Sequence, residues 1–232
     1  MVSYRAAVTE PRAFIDALRR VATSARVAEL NGLDLSEEIA ALRAIADRVE
    51  AVAVDEPRMQ GSLTSAELAE RFAAVVSAGP GGRMERAREV GVAGFFPYSP
   101  YVGPLNPMAP PVELEIVDAD PWNEIHGEHR FDPITNGPPD GVHGGVIAGV
   151  FDELLGSVCV LNDVAGFTGT LTIRYRSLTP LEAPISMRGW IERVDGRKTL
   201  ARGTFHHGET LCAEAEGIFI GVDGSLPGPD GL

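Results

Sequence analysis

A single carboxylate set among glycines is the part of this sequence best suited to chemistry. It lies in the run NGPPDGVHGGVIAGVFDELLGS. At about 100° per residue, a helix through this run gathers Gly145, Gly149, Asp152 and Gly156 on one face. Ile147, Phe151, Leu154 and Val158 fall together on the opposite face. Each glycine inside a helix costs about 1 kcal/mol relative to alanine. Close approach by another backbone or by a ligand offsets that cost. Two readings follow. Either the glycine face packs on a sheet or a symmetry-related helix, with Asp152 bonded to a neighbouring donor, or the face is a working site. A carboxylate on a closely approached face is expensive unless it is paired or used, which favours the site.

The start of the same helix supplies a second component. Gly141, Gly144 and Gly145 flank His143 where the chain turns into the helix. The first amide N–H groups of a helix have no internal acceptor, and the helix dipole is positive there. Such an end can stabilise a developing oxyanion. An oxyanion site and a carboxylate two turns on together suggest acyl-group chemistry. Gly144 and Asp152 are eight residues apart, roughly 12 Å along a helix axis, so they cannot act on the same carbonyl within one helix. Two helices meeting antiparallel in a symmetric dimer would bring one subunit's donor to the other's carboxylate. The spacing therefore predicts an obligate homodimer, with a dimer of dimers left open.

The elements that must hold this helix divide the chain in two. Residues 1–78 read as helical, with apolar stripes Phe14, Leu18, Val21, Val27 and then Ile39, Leu42, Ile45, Val49, Val52. Pro11 suits a first helical turn, and Asp34 with Glu37 and Thr64 with Glu67 read as capping boxes. Residues 79–111 form a connector rich in Pro, Gly and aromatics, in which the prolines exclude continuous helix. Phe95, Phe96, Tyr98 and Tyr101 are expected on a surface there, wrapping the next domain or flanking a pocket. Residues 112–222 switch to period-two patterning: VELEIV, EIHGEHRFD, the long helix, then GTLTIRYRSL, ISMRGWIERV, KTLARGTFHH and TLCAEAEGIFIGV. Asp195-Gly196 and His207-Gly208-Glu209 mark hairpin turns. Two strands, one helix and four strands predict an α+β domain, an antiparallel sheet curled around a central helix. Residues 223–232 read as a flexible tail.

The chain has 232 residues and a net charge of −13. A sequence pI near 4.8 argues against a nucleic-acid partner. Residues 1–110 carry 12 basic and 14 acidic groups, and residues 111–232 carry 8 and 19, so the acidity sits in the strand-rich half. No run of about 18 apolar residues exists, so no transmembrane helix is expected, and the first residues do not read as a signal peptide. Cys159 and Cys212 sit in apolar stretches, as free buried thiols of a cytoplasmic protein would. The five histidines do not show metal-site spacing, so no metal is expected.

The segment GPPDGVHGGVIAGVFDELLG, with Asp nine residues after the His of HGG, resembles the hotdog-fold acyl-CoA thioesterases. The likeness is to the phenylacetate-pathway and mitochondrial thioesterase-superfamily type. TGTLTIRYRSLTPL resembles that family's next strand, and FFPYSPYVGPLNPMAPP resembles a segment preceding its fold. The resemblance covers roughly residues 92–222 and leaves the N-terminal helices outside. It implies a hotdog fold, no cofactor, and an acyl-CoA substrate split to free acid and CoA. It further implies Asp152 as general base or nucleophile and Gly144 N–H polarising the thioester carbonyl. His143 stands at the family's helix-start position, with Gly145 beside it among the substrate-binding residues. Thr168 falls where relatives place a water-positioning hydroxyl; an ordinary strand residue is the equal alternative. Smaller relatives carry an Asn six residues before the His. Gly137 stands there, so either Asn136 shifts into place or no such Asn is used.

An anionic CoA needs cations in an acidic domain. Arg174 and Arg176 on one strand face, and Arg193, Arg197 and Lys198 around the Asp195-Gly196 turn, are candidate phosphate contacts. Solvated surface charge is the plainer reading for any one of them. No G-x-S-x-G and no P-loop occurs. The competing function is a non-catalytic acyl-CoA binding or sensing module built on the same pocket. A third reading makes the N-terminal helices a protein-interaction module.

Overall fold

The computed structural model describes residues 4–53, 60, 81–108, 111–164 and 166–221. Six strands, β1 Glu113–Val117, β2 Glu124–Arg130, β3 Phe167–Tyr175, β4 Pro184–Asp195, β5 Lys198–His207 and β6 Thr210–Ile220, form one antiparallel sheet in the order β1-β2-β4-β5-β6-β3. The central helix, Gly144–Leu161, lies in its concavity and touches all strands from β2 to β6. This is the hotdog fold. Two-residue turns join β4 to β5 and β5 to β6 at the expected places, with Gly196 and Gly208 at positive φ. Register shifts at Thr168/Thr170, Ile191/Arg193 and Phe205/His206 curl the sheet.

The helix buries the apolar face read from its sequence: Ile147, Phe151, Leu154 and Val158 are all 3% exposed or less. Phe151 stacks on Phe205 of β5 with ring centroids 3.9 Å apart. Small residues in the sheet make room for it. A Cβ on Gly189 would lie 2.8 Å from Leu154 Cγ, so the glycine lets the leucine press against the sheet. Cys159 and Cys212 are buried free thiols, and burial pushes the Cys159 thiol up to about 12. The central helix is long and apolar enough, by composition, to cross a membrane. Half of its residues are buried in this protein core, which accounts for that composition.

The connector is packed rather than spread on a surface. Helix α3, Gly82–Val90, forms where no proline interrupts, and Val92–Phe95 adds one more turn as α4. Phe96 and Val102 are buried in the same core as the central helix, while Phe95 and Tyr101 are half-buried against it. Their aromatic and apolar area is better used there than in water.

Two helices of the N-terminal region are described, α1 Tyr4–Val27 and α2 Ser36–Glu50. Helix α1 begins before Pro11, which lies inside it rather than in its first turn. Proline has no N–H, so the carbonyl four residues earlier loses its helical donor. The Asp34 capping box does not form either. Leu35 is the N-cap, and Asp34 Oδ1 instead accepts from the backbone and hydroxyl of Ser36 at 3.0 and 2.6 Å. The Thr64–Glu67 signal, its helix and the tail beyond residue 221 lie outside the described residues.

Arg19 fixes α1 to the rest. It is buried, and its guanidinium donates to the carbonyls of Gly103 at 3.1 Å, Pro104 at 3.3 Å and Asn106, and to Asp16 at 2.8 Å. Thr23 adds a 3.5 Å bond to Asp132, beside the 3-10 turn Pro133–Thr135. Helix α2 has no buried residue, and Ile39, Leu42, Ile45 and Val49 are each at least 38% exposed.

Candidate active site

The turn into the central helix is built from its own backbone. Asn136 donates its amide to the carbonyls of Pro138 at 2.9 Å and Gly141 at 3.4 Å, closing the Gly-Pro-Pro-Asp turn. That amide is thus occupied within the loop. A Cβ at Gly137 would come within 2.6 Å of His143 Cα, so an asparagine cannot stand there without moving the loop. Val142 N–H donates to Thr179 O at 2.9 Å, which ties the turn to the Thr-Pro corner after β3.

His143 is the N-cap. Its Nδ1 accepts from Gly145 N–H at 3.0 Å, and its carbonyl accepts from Val146 and Ile147 at 2.9 and 3.2 Å. His143 N–H itself donates to Thr135 O at 2.8 Å. Of the helix's first four amides, Gly144 N–H alone has no acceptor among the described residues. It is a half-exposed donor at the positive end of the helix. Tyr175, at the end of β3, donates its hydroxyl to Gly144 O at 2.8 Å and so holds the helix start against the sheet edge.

Asp152 is exposed on the glycine face, two turns on. Thr168 Oγ1 donates to Asp152 Oδ1 at 2.8 Å. Thr168 lies on β3 at the bulge, so the irregularity turns its side chain toward the helix. The bond fixes one carboxylate oxygen and leaves the second for other work.

Gly149 has a more particular reason to be glycine than the sequence offered. A Cβ there would lie 2.3 Å from Cζ and Oη of Tyr101, which the connector lays across the helix. The close neighbour therefore comes from within the chain. Gly156, on the far side of Asp152, has nothing within 4 Å of such a Cβ among the described residues. Glu153 is half-buried beside Tyr101. Burial raises its carboxyl above the usual range, a hydrogen bond with Ser99 offsets part of this, and the Asp152 charge adds to it. Burial, and then the Glu153 charge, raise the Tyr101 phenol in turn.

Among the described residues, the proposed phosphate contacts make no hydrogen bond or ion pair to this cluster. Arg174 alternates with Leu171 and Ile173, which pack on the core, so it faces away from the helix. Arg176 falls just beyond β3. Both reach Glu214 on β6, at 4.0 and 2.5 Å. Lys198 opens β5 opposite Asp195 and Ile220, at the end of the sheet where β3 begins. Among the described residues no three His, Cys, Asp or Glu side chains converge as metal ligands.

The structure thus brings together Asp152 with Thr168, and His143 with Gly144 and Gly145. Arg174 and Arg176 are paired with Glu214 instead, and Lys198 stands on β5, separated by β6 from the start of β3. Sequence reasoning missed Ser99 and Tyr175 as parts of the site, did not count Glu153 among them, and placed Tyr101 only as one of four aromatics that could flank a pocket. Tyr175 was within reach, because period-two alternation with Leu171 and Ile173 puts it on the helix side.

No family model matches the chain. A solved thioesterase superfamily protein is 28% identical, with a TM-score of 0.70 over 90% of this chain and 90% of that one. That likeness reaches well into the N-terminal region, beyond the span read from sequence. Among curated proteins, the chain is 31% identical to acyl-coenzyme A thioesterase THEM4 of Mus musculus over 93 residues, 39% of this chain and 40% of that protein. It is 28% identical to acyl-coenzyme A thioesterase THEM5 of Homo sapiens over 86 residues, 36% of this chain and 35% of that protein. The matched stretch spans about two fifths or less of each of these curated relatives' length.

Proposed function

We propose that this protein hydrolyses acyl-CoA thioesters to free acid and CoA. The observation that carries the reading is the Thr168–Asp152 hydrogen bond, which orients an exposed carboxylate on the glycine face. Gly144 N–H, the free amide at the helix start, supports it as the oxyanion donor. His143 acts by taking up Gly145 N–H and fixing the turn, which leaves Gly144 N–H as the unbonded donor among the described residues.

In this reading a homodimer completes the site, since Gly144 and Asp152 are roughly 12 Å apart along one helix. Strand β3 is the free edge of the sheet beside β6, with Phe167 and Tyr175 exposed, and a second copy's β3 is a fitting neighbour. The thioester carbonyl lies at Gly144 of one subunit, near Asp152 of the other. Asp152 takes a proton from water as the water attacks, or attacks the carbonyl itself to give a mixed anhydride that water then opens. On either route the C–S bond breaks, and CoA leaves as a thiolate that takes up a proton. Lys198 is the more available of the proposed phosphate contacts, because Arg174 and Arg176 are engaged by Glu214.

The test is thioester hydrolysis over an acyl-CoA panel with Asp152→Ala and Asp152→Asn. Both variants are expected to lose about a thousandfold in kcat. Wild-type protein that binds acyl-CoA and turns over none of the panel would instead be the binding module.

A further inference from the structure

We propose that Tyr101 sets the length of the acyl group this site accepts. The inference rests on the acyl-CoA reading of Asp152. Gly149 and Gly156 stand about one turn before and after Asp152 on the same helix face. The two sides differ. The Tyr101 ring lies directly on Gly149, 2.3 Å from where a Cβ would be, while among the described residues the Gly156 side is clear within 4 Å. A chain placed beside the carboxylate therefore meets a phenol on one side and open helix backbone on the other.

Tyr101 is a fixed wall rather than a surface residue that folds aside. Its carbonyl accepts from Val112 N–H at 2.6 Å, and its N–H points to Ser99 Oγ at 3.4 Å. Val102, next in sequence, is 1% exposed. Gly103 follows in a turn so tight that a Cβ would lie 2.4 Å from Ser99 N. Arg19 then holds the carbonyls of Gly103, Pro104 and Asn106. The connector is anchored on both sides of the ring, and one removable side chain closes that end of the face. An acyl group that is short, or compact at its far end, fits against it. A long straight chain does not.

The experiment uses the full chain and a series of S-alkyl-CoA thioethers of increasing length, which bind without being hydrolysed. Wild type is expected to show a cut-off at short chains, and Tyr101→Phe to keep it. Tyr101→Ala should move the cut-off to longer chains, gaining about fourfold in Kd per methylene newly buried. Tyr101→Leu, which keeps apolar bulk in the core, should move it in the same direction and serves if the alanine variant does not fold by thermal melting. A merely structural tyrosine would shift the melting temperature and leave the cut-off in place, and that result overturns the proposal. A wild type without any cut-off, or without thioether binding, overturns it too. Hydrolysis of the matching thioesters reports separately on the parent reading. A moved cut-off with no turnover leaves Tyr101 standing and removes the hydrolase. Turnover with an unmoved cut-off does the reverse.

Discussion

The two faces of the central helix follow opposite rules. One packs Ile147, Phe151, Leu154 and Val158 into the sheet to near-complete burial. The other presents Gly145, Gly149, Asp152 and Gly156, and its neighbours come from three separate places: the His143 ring, the Tyr101 ring and the Thr168 hydroxyl. The apolar face needs volume filled, and many side chains fill volume equally well. The glycine face needs particular atoms at particular distances. A fold tolerates variation on the first and a site does not tolerate it on the second.

That contrast can be broken from either side. Leu154→Ala should cost about 3 kcal/mol in chemical denaturation, since it empties a closed position under Gly189. Turnover of the protein that remains folded should be nearly unchanged. A large loss of kcat in that variant would mean that the faces are not separable. Thr168→Val keeps the shape of the side chain and removes the donor to Asp152. About a tenfold fall in kcat with little change in KM is expected in steady-state kinetics, from a hydrogen bond to a charged group. The melting temperature should barely move, because Thr168 is exposed. Gly156→Ala is the smallest change. With no described residue within 4 Å of its Cβ, it should stabilise the helix by about 0.5–1 kcal/mol in the same denaturation assay. A loss of turnover there instead would place substrate or a second copy against that glycine.

The same contrast explains what was legible in the sequence. The helix Gly144–Leu161 forms where its apolar stripe puts it, and strand β5 Lys198–His207 matches its patterned run end to end. Alternation and helical periodicity report burial, and burial is what forms those elements. Asp152 and Thr168 were found through a motif and a spacing. Tyr101 was named only as one of four aromatics that could flank a pocket, because its contact with Gly149 joins positions 48 residues apart and no local pattern encodes that distance. The connector's aromatics were visible, but their partner was not. The first two helices make the point again. They read as equivalent amphipathic helices, yet only α1 carries a buried arginine that finds acceptors, while the stripe of α2 remains exposed. Periodicity says that a face wants cover and does not say what provides it.

Arg19 carries a practical consequence for anyone cutting this chain into fragments. The composition boundary near residue 79 looks like a natural place to begin a shortened protein. Such a fragment would lose the guanidinium that gathers three connector carbonyls and would leave them competing for water. The loosened segment is the one that carries Tyr101 to the helix. A trimmed protein could retain every residue of the strand-rich half and still differ from the whole in which chains it accepts. The usable starting point for a shortened chain therefore lies upstream of Arg19, inside the helical region that precedes the connector.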